Sequence, residues 1–200
     1  MARKAAISEK LTELNIERVI ALLSQEKPIT KKAACEILGI NYNTTRLDSI
    51  LEDYKKRKDF EKEQREKKRY KPATDAEIQF VVEGYLSGEP VSELAKRIYR
   101  SDSFINSILD RIGVPRRSSA FSYFRPQPLP EECISNKFEV GEKVYSSRYE
   151  SLATIIKEFE QNGDKVYRVY LTDERWQQYA YQPWWELGSL KHLQKYGVFK

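Results

Sequence analysis

Apolar residues recur near helical spacing over residues 7–24, at Ile7, Leu11, Leu14, Val19, Leu22 and Leu23 with Glu and Lys between them, which predicts an amphipathic helix. Pro28 ends that stretch. Thr30 is placed to cap a second helix that closes at Gly39, and Asn41 or Asn43 a third that carries Leu47, Ile50, Leu51 and Tyr54 on one side. From Lys55 to Lys71 the large apolar residues are Phe60 and Tyr70 alone, so the third helix continues as a solvated rod until Pro72. The punctuation then repeats. Thr74 or Asp75 caps a helix with Ile78, Phe80, Val81, Val82, Tyr85 and Leu86. Ser87-Gly88 breaks it, Ser92 caps a short helix with Leu94, Ala95, Ile98 and Tyr99, and another begins near Asp102 and runs to Gly113.

After residue 115 the helical period stops. Residues 116–130 mix Arg, Ser, aromatics and Pro and read as an extended linker or arm. Beyond Phe138 the runs are short and alternating: 142–145, 152–156, 166–171 and 178–181 read as strands, with Asn162-Gly163-Asp164 as a hairpin turn. The expected organisation is multidomain, mostly α in its first two-thirds and all-β at the end. Its segments are a three-helix unit over 1–54, a basic helical linker over 55–72, a second three-helix unit over 73–115, an arm over 116–136 and a small β domain over 137–200.

Charge changes this picture through its placement. Residues 55–71 hold 10 basic and 4 acidic side chains and residues 96–125 hold 7 and 2, whereas residues 126–200 hold 10 and 11. The net charge of +5 is therefore concentrated in two blocks beside helical hairpins, where a phosphate backbone would be attracted. For 55–71 a solvated helix face fits the same residues equally well. With no run near ~18 apolar residues, a membrane span is not expected, and a charged start points to the cytoplasm. Cys35 and Cys133 stand far apart and His192 is the single histidine, so neither a disulfide framework nor a metal site is expected. Without a Gly-rich phosphate loop, a nucleophile elbow or a histidine beside a nucleophile, no enzyme chemistry and no cofactor are expected.

Ala33-Ala34-Cys35-Glu36-Ile37-Leu38-Gly39-Ile40-Asn41-Tyr42-Asn43-Thr44-Thr45-Arg46 resembles the helix-turn-helix of the Fis type, in which small alanines let two helices pack closely and a glycine makes the turn. The resemblance implies that Asn41, Tyr42, Asn43, Thr44 and Arg46 face duplex DNA. Thr45 departs from it, since the family usually has Leu there. Residues 92–105 are similar to the helix-turn-helix of resolvases, although the turn lacks its glycine and Phe104 replaces a small residue. That similarity implies DNA contacts from Arg100, Ser101, Ser103, Asn106 and Ser107, with Asp102 capping the helix. Arg116 and Arg117 stand where a minor-groove arm would leave a recognition helix, and equally where an ordinary linker would lie. Phe138-Glu139-Val140-Gly141-Glu142-Lys143-Val144-Tyr145 is similar to the opening of SH3-like barrels of the KOW and Tudor sorts.

These readings converge on a bacterial or bacteriophage double-stranded-DNA-binding protein, a transcriptional regulator in the first instance. A recombination or DNA-packaging accessory subunit is the alternative, and an RNA- or ribosome-binding protein the third reading. The aromatic end of the chain suggests a protein-binding surface around Tyr179, Tyr181, Trp184 and Trp185, meeting polymerase or a second copy.

Overall fold

A computed structural model describes residues 9–118, 120–176 and 178–199 and divides the chain into two compact units, 1–69 and 70–200. The first holds α1 (Glu13–Leu23), α2 (Lys31–Ile37) and α3 (Thr44–Lys68). Thr12, Thr30 and Asn43 each cap a helix by accepting the backbone N–H three residues on, which satisfies donors that a helix start leaves orphaned. Ile16 and Val19 of α1, Ala34 and Cys35 of α2, Leu38 and Ile40 of the turn, and Leu47 and Tyr54 of α3 make the core. Because Thr12 starts α1 at Glu13, Leu11 and Leu14 of the expected stripe are exposed, while its Val19 and Leu23 face the core together with Ile16 and Ile20. Ile7 lies outside the described residues. The 25 residues of α3 form one unbroken helix, about 37 Å at ~1.5 Å per residue. Tyr54 Oη donates to Glu17, and Arg57 pairs with Glu13, which fastens the middle of α3 to α1.

The second unit opens with α4 (Asp75–Leu86), α5 (Val91–Arg97) and α6 (Asp102–Arg111). Thr74 and Glu77 form a reciprocal capping box. Pro90, with its φ held at −72°, stands at the cap position of α5, so Ser92 falls inside the helix and does not cap it. Ser101, not Asp102, caps α6. After a 3₁₀ turn at Glu131–Cys133 come β1 (Lys143–Ser146), β2 (Ser151–Gln161), β3 (Asp164–Leu171), β4 (Tyr179–Pro183) and β5 (Leu187–Ser189), with 3₁₀ turns at Trp184–Glu186 and Lys191–Tyr196. All pairings are antiparallel, in the order β4-β3-β2-β1-β5. Asn162 and Gly163, both at positive φ, close the β2–β3 hairpin as a two-residue turn.

The sheet uses both faces. Side chains alternate along a strand, and Val144, Ala153, Ile155, Val169, Leu171 and Leu187 form an inner core with Phe138 and Tyr167. Tyr145 and Leu152, paired across β1 and β2 on the opposite face, join Ile78, Val82, Leu94, Ile105 and Leu109 of the helices in a second core, which Leu190, Leu193 and Val198 complete. Helices and sheet thus form one body, where the sequence suggested separate domains over 73–115 and 137–200.

His192 sits at this junction, with Nε2 3.2 Å from the Gly113 carbonyl oxygen and Nδ1 buried without a partner. Burial lowers its pKa below the ordinary 6.5 by disfavouring the charged ring, against the weaker raising effect of the Gly113 carbonyl. The unfolded chain therefore takes up this proton at a higher pH than the folded one, and stability falls as pH drops below about 6.5. The thermal midpoint of the second unit, followed by tryptophan fluorescence, is expected to decline from about pH 7.5 to 5, and His192→Gln to flatten that decline.

Candidate nucleic-acid interface

Four helices end in the same way. In the turn after α2, the Gly39 N–H bonds the Glu36 carbonyl and the Ile40 N–H bonds the Cys35 carbonyl, with Gly39 at φ 62°. After α5 the same pair runs from Tyr99 to Lys96 and from Arg100 to Ala95, with Tyr99 at φ 56°. The turns after α4 and α6 repeat it at Gly88 and Gly113. This is the Schellman closure, which favours glycine because a left-handed residue with a Cβ is strained by about 1–2 kcal/mol. The two helical hairpins therefore share one turn geometry, although only one has the glycine that marks it in sequence.

In the first unit the turn delivers Asn41, Tyr42 and Asn43 to the exposed start of α3, and Tyr42 is 65% exposed. The Asn43 Oδ1 accepts from the Arg46 N–H at 3.0 Å, which leaves its amide Nδ2 for an external acceptor. Arg46 lies one turn along α3, in an exposed ion pair with Glu9 at 2.6 Å. Such a pair contributes little and exchanges readily for a phosphate or base edge. Thr44 is half-buried, and Lys31 ties α2 to α3 through Asp48 at 2.8 Å. Thr45 is exposed, so the missing leucine removes nothing from the core; Leu47 is fully buried in its stead.

The second unit uses most of its expected DNA contacts internally. The Arg100 side chain is 8% exposed and pairs with Glu77, 12% exposed, at 3.2 Å. It also donates to the Lys71 and Pro72 carbonyls and lies over the Phe104 ring at 4.4 Å. Arg116 donates to Asp110 and to both the side-chain and backbone oxygens of Asn106. Arg117 donates to the Gly88 and Glu89 carbonyls over the Tyr85 ring, and its backbone N–H bonds the Tyr85 hydroxyl. Arg116 and Arg117 thus anchor the arm to α6 and to the α4–α5 turn. Ser101, Ser103 and Ser107 remain exposed on α6, with Ser101 serving as cap and the Ser107 hydroxyl donating to the Phe104 carbonyl. Arg111, in the last turn of α6, is an exposed cation that the recombinase pattern does not single out.

The rest of the arm is held by rings. Phe121 and Tyr149 both meet Trp176 at 5.2 Å, and Tyr123 meets Tyr149 at 5.5 Å under the Arg148 guanidinium. Burial raises the Tyr149 hydroxyl to about 12, with Tyr123 adding to the shift. Arg148 pairs with the buried Glu186, and that hydrogen-bonded pairing raises the pKa of Arg148 above its ordinary value.

The four aromatic residues expected to form one protein-binding surface fall on two. Tyr179 and Tyr181 project from the outer face of the sheet, where Tyr181 meets Phe159 at 5.6 Å and Tyr179 meets Tyr170 at 5.2 Å. Trp184 packs on the inner core. Trp185 lines an apolar groove of about 350 Å³ with Pro128, Leu129, Ile134 and Leu187.

Cys35 and Cys133 are buried free thiols, and burial pushes Cys133 up to about 12. Among the described residues no group of three or more His, Cys, Asp or Glu side chains is placed to hold a metal ion, and no helix is long and apolar enough to cross a membrane. No protein-family model, no curated protein and no solved structure matches this chain.

Proposed function

We propose that this chain is a non-enzymatic double-stranded-DNA-binding protein with two helix-turn-helix units, acting as a transcriptional regulator in the cytoplasm of a bacterial or phage-infected cell. The observation that carries the reading is the α2–Gly39–α3 hairpin, whose Schellman turn and Asn43 cap gather Asn41, Tyr42, Asn43 and Arg46 at one exposed helix start. In this reading the start of α3 enters the major groove. Arg46 leaves Glu9 for a base edge or phosphate, and the Asn43 amide reads an acceptor. The second unit contributes fewer contacts, from Ser101, Ser103, Ser107 and Arg111, because Arg100, Arg116 and Arg117 are spent on the fold. The sheet order and the 3₁₀ turn between β4 and β5 support an SH3-like reading of the β region.

Mechanism here is positioning: cations neutralise phosphates and release counterions, so affinity must fall as salt rises. Anisotropy titrations of labelled duplex DNA are expected to give a log–log salt slope of about −3 to −5, for roughly four to five phosphates. Arg46→Ala is expected to weaken binding about tenfold with no loss of thermal stability. A salt-independent affinity, or an Arg46→Ala protein that binds as tightly as the parent, contradicts the proposal.

A further inference from the structure

The outer face of the sheet carries a second set of rings and cations that the helix-turn-helix reading leaves unused. At the β1 end this face is covered by the helices, through Tyr145 and Leu152. At the other end it is open. A bulge between Ile155 and Lys157 resets the alternation of β2, so that Lys157 comes opposite Arg168 and Phe159 opposite Val166. Arg168 and Tyr170 of β3 then pair with Tyr181 and Tyr179 of β4. The result is two aromatic pairs, Phe159 with Tyr181 and Tyr170 with Tyr179, and two cations laid on rings: Arg168 over Tyr179 at 4.4 Å and Lys157 over Phe159 at 5.1 Å. Glu158 pairs across the strands with the inward Tyr167, and Glu160 shares its parity, so the outward positions of β2, β3 and β4 hold one carboxylate, Asp164 at the hairpin end beyond Val166. Tyr181 is 64% and Tyr179 48% exposed.

We propose that this face binds a single-stranded polynucleotide, with bases stacking on Tyr179, Tyr181 and Phe159 and phosphates meeting Lys157 and Arg168. Tyr179 and Tyr181 lie two residues apart on one strand, about 6.8 Å, so successive bases can use successive rings. The near-neutral balance of residues 126–200 conceals this local charge, because its acids other than Asp164 at the hairpin end lie off this face. A sheet face built from hydrogen-bonded strands presents its rings already ordered, which is what sequence-tolerant stacking needs. The inference is independent of the Asn43 and Arg46 surface and stands or falls separately from it.

The test uses the full chain at low salt with fluorescein-labelled twelve-nucleotide oligo(dT) and oligo(U), read by anisotropy. Wild type is expected to bind at least one of them; binding of both assigns the site to the shared chemistry, and binding of one assigns it to DNA or RNA. Tyr179→Ala with Tyr181→Ala is expected to weaken binding about twentyfold or more, Tyr181→Phe to bind as wild type, and Arg46→Ala to leave oligonucleotide binding intact while weakening duplex binding. On unmodified protein, photocrosslinking to 5-iodouracil-containing oligonucleotide, mapped by mass spectrometry, is expected to mark Tyr179, Tyr181 or Phe159. The proposal is overturned if neither oligonucleotide binds, if crosslinks map elsewhere, or if the double variant binds as wild type. A double variant that binds normally but loses self-association in light scattering makes the face a protein interface instead.

Discussion

Arg100→Ala is expected to destabilise the second unit by about 3 kcal/mol or more while leaving the duplex affinity of the folded protein within about twofold of wild type. The family resemblance points to the opposite pattern, a folded protein with weakened DNA binding. The physical difference lies in burial. Arg100 and Glu77 are both almost fully enclosed, and removing the guanidinium takes a buried compensating charge from the Glu77 carboxylate and a donor from the Lys71 and Pro72 carbonyls. Tryptophan fluorescence in urea reads this directly, because Trp176, Trp184 and Trp185 all belong to the second unit. An unchanged urea midpoint together with lost duplex affinity would return Arg100 to the DNA surface.

The second large effect concerns the boundary at 70. A fragment spanning 137–200 is expected not to fold, whereas 70–200 is expected to unfold in one cooperative transition. Cutting at 137 strips the helices from Tyr145, Leu152, Leu190, Leu193 and Val198, five side chains that are 8% exposed or less in the whole unit. At about 25 cal/mol per Å² of apolar area, exposing several large side chains costs on the order of 5–10 kcal/mol, as much as a small domain has in total. Circular dichroism and dispersed amide resonances for 70–200, and their absence for 137–200, are the expected pair of results. A folded 137–200 would mean that the shared core is dispensable.

Local signals were legible because they depend on residues close in sequence. Thr30, Asn43 and Thr74 cap where their short oxygens can reach a backbone N–H three residues on, and Asn162-Gly163 can take the positive φ of a tight hairpin. The helical first part and the β-rich end followed from the same periodicities. Three things were not legible. The α5–α6 turn hides its left-handed residue in Tyr99, which no composition rule flags. Leu187-Gly188-Ser189 is too short and too weakly patterned to be read as a strand, yet it pairs with β1. The merger of helices and sheet depends on Tyr145 and Leu152, outward positions whose burial is decided by what lies over them.

For the site, the sequence located the exposed start of α3, but a family resemblance offered Arg100 to DNA, and a place beside a recognition helix offered Arg116 and Arg117, with no sight of their fold partners. Their partners, Glu77, Asp110 and the carbonyls of Gly88 and Glu89, lie 6 to 29 residues away. A basic block in sequence is a surface only where no fold contact claims it.

Selection of bound sites from random duplex DNA, run in parallel on wild type and Asn43→Ser, tests the central claim most directly. Serine preserves the helix cap, since its hydroxyl also accepts from the third N–H, but removes the amide that would read a base. Wild type is expected to enrich a defined motif, and Asn43→Ser to be equally stable and to lose preference at one position of it. No enriched motif with wild type, or the same motif from both proteins, contradicts sequence recognition by α3.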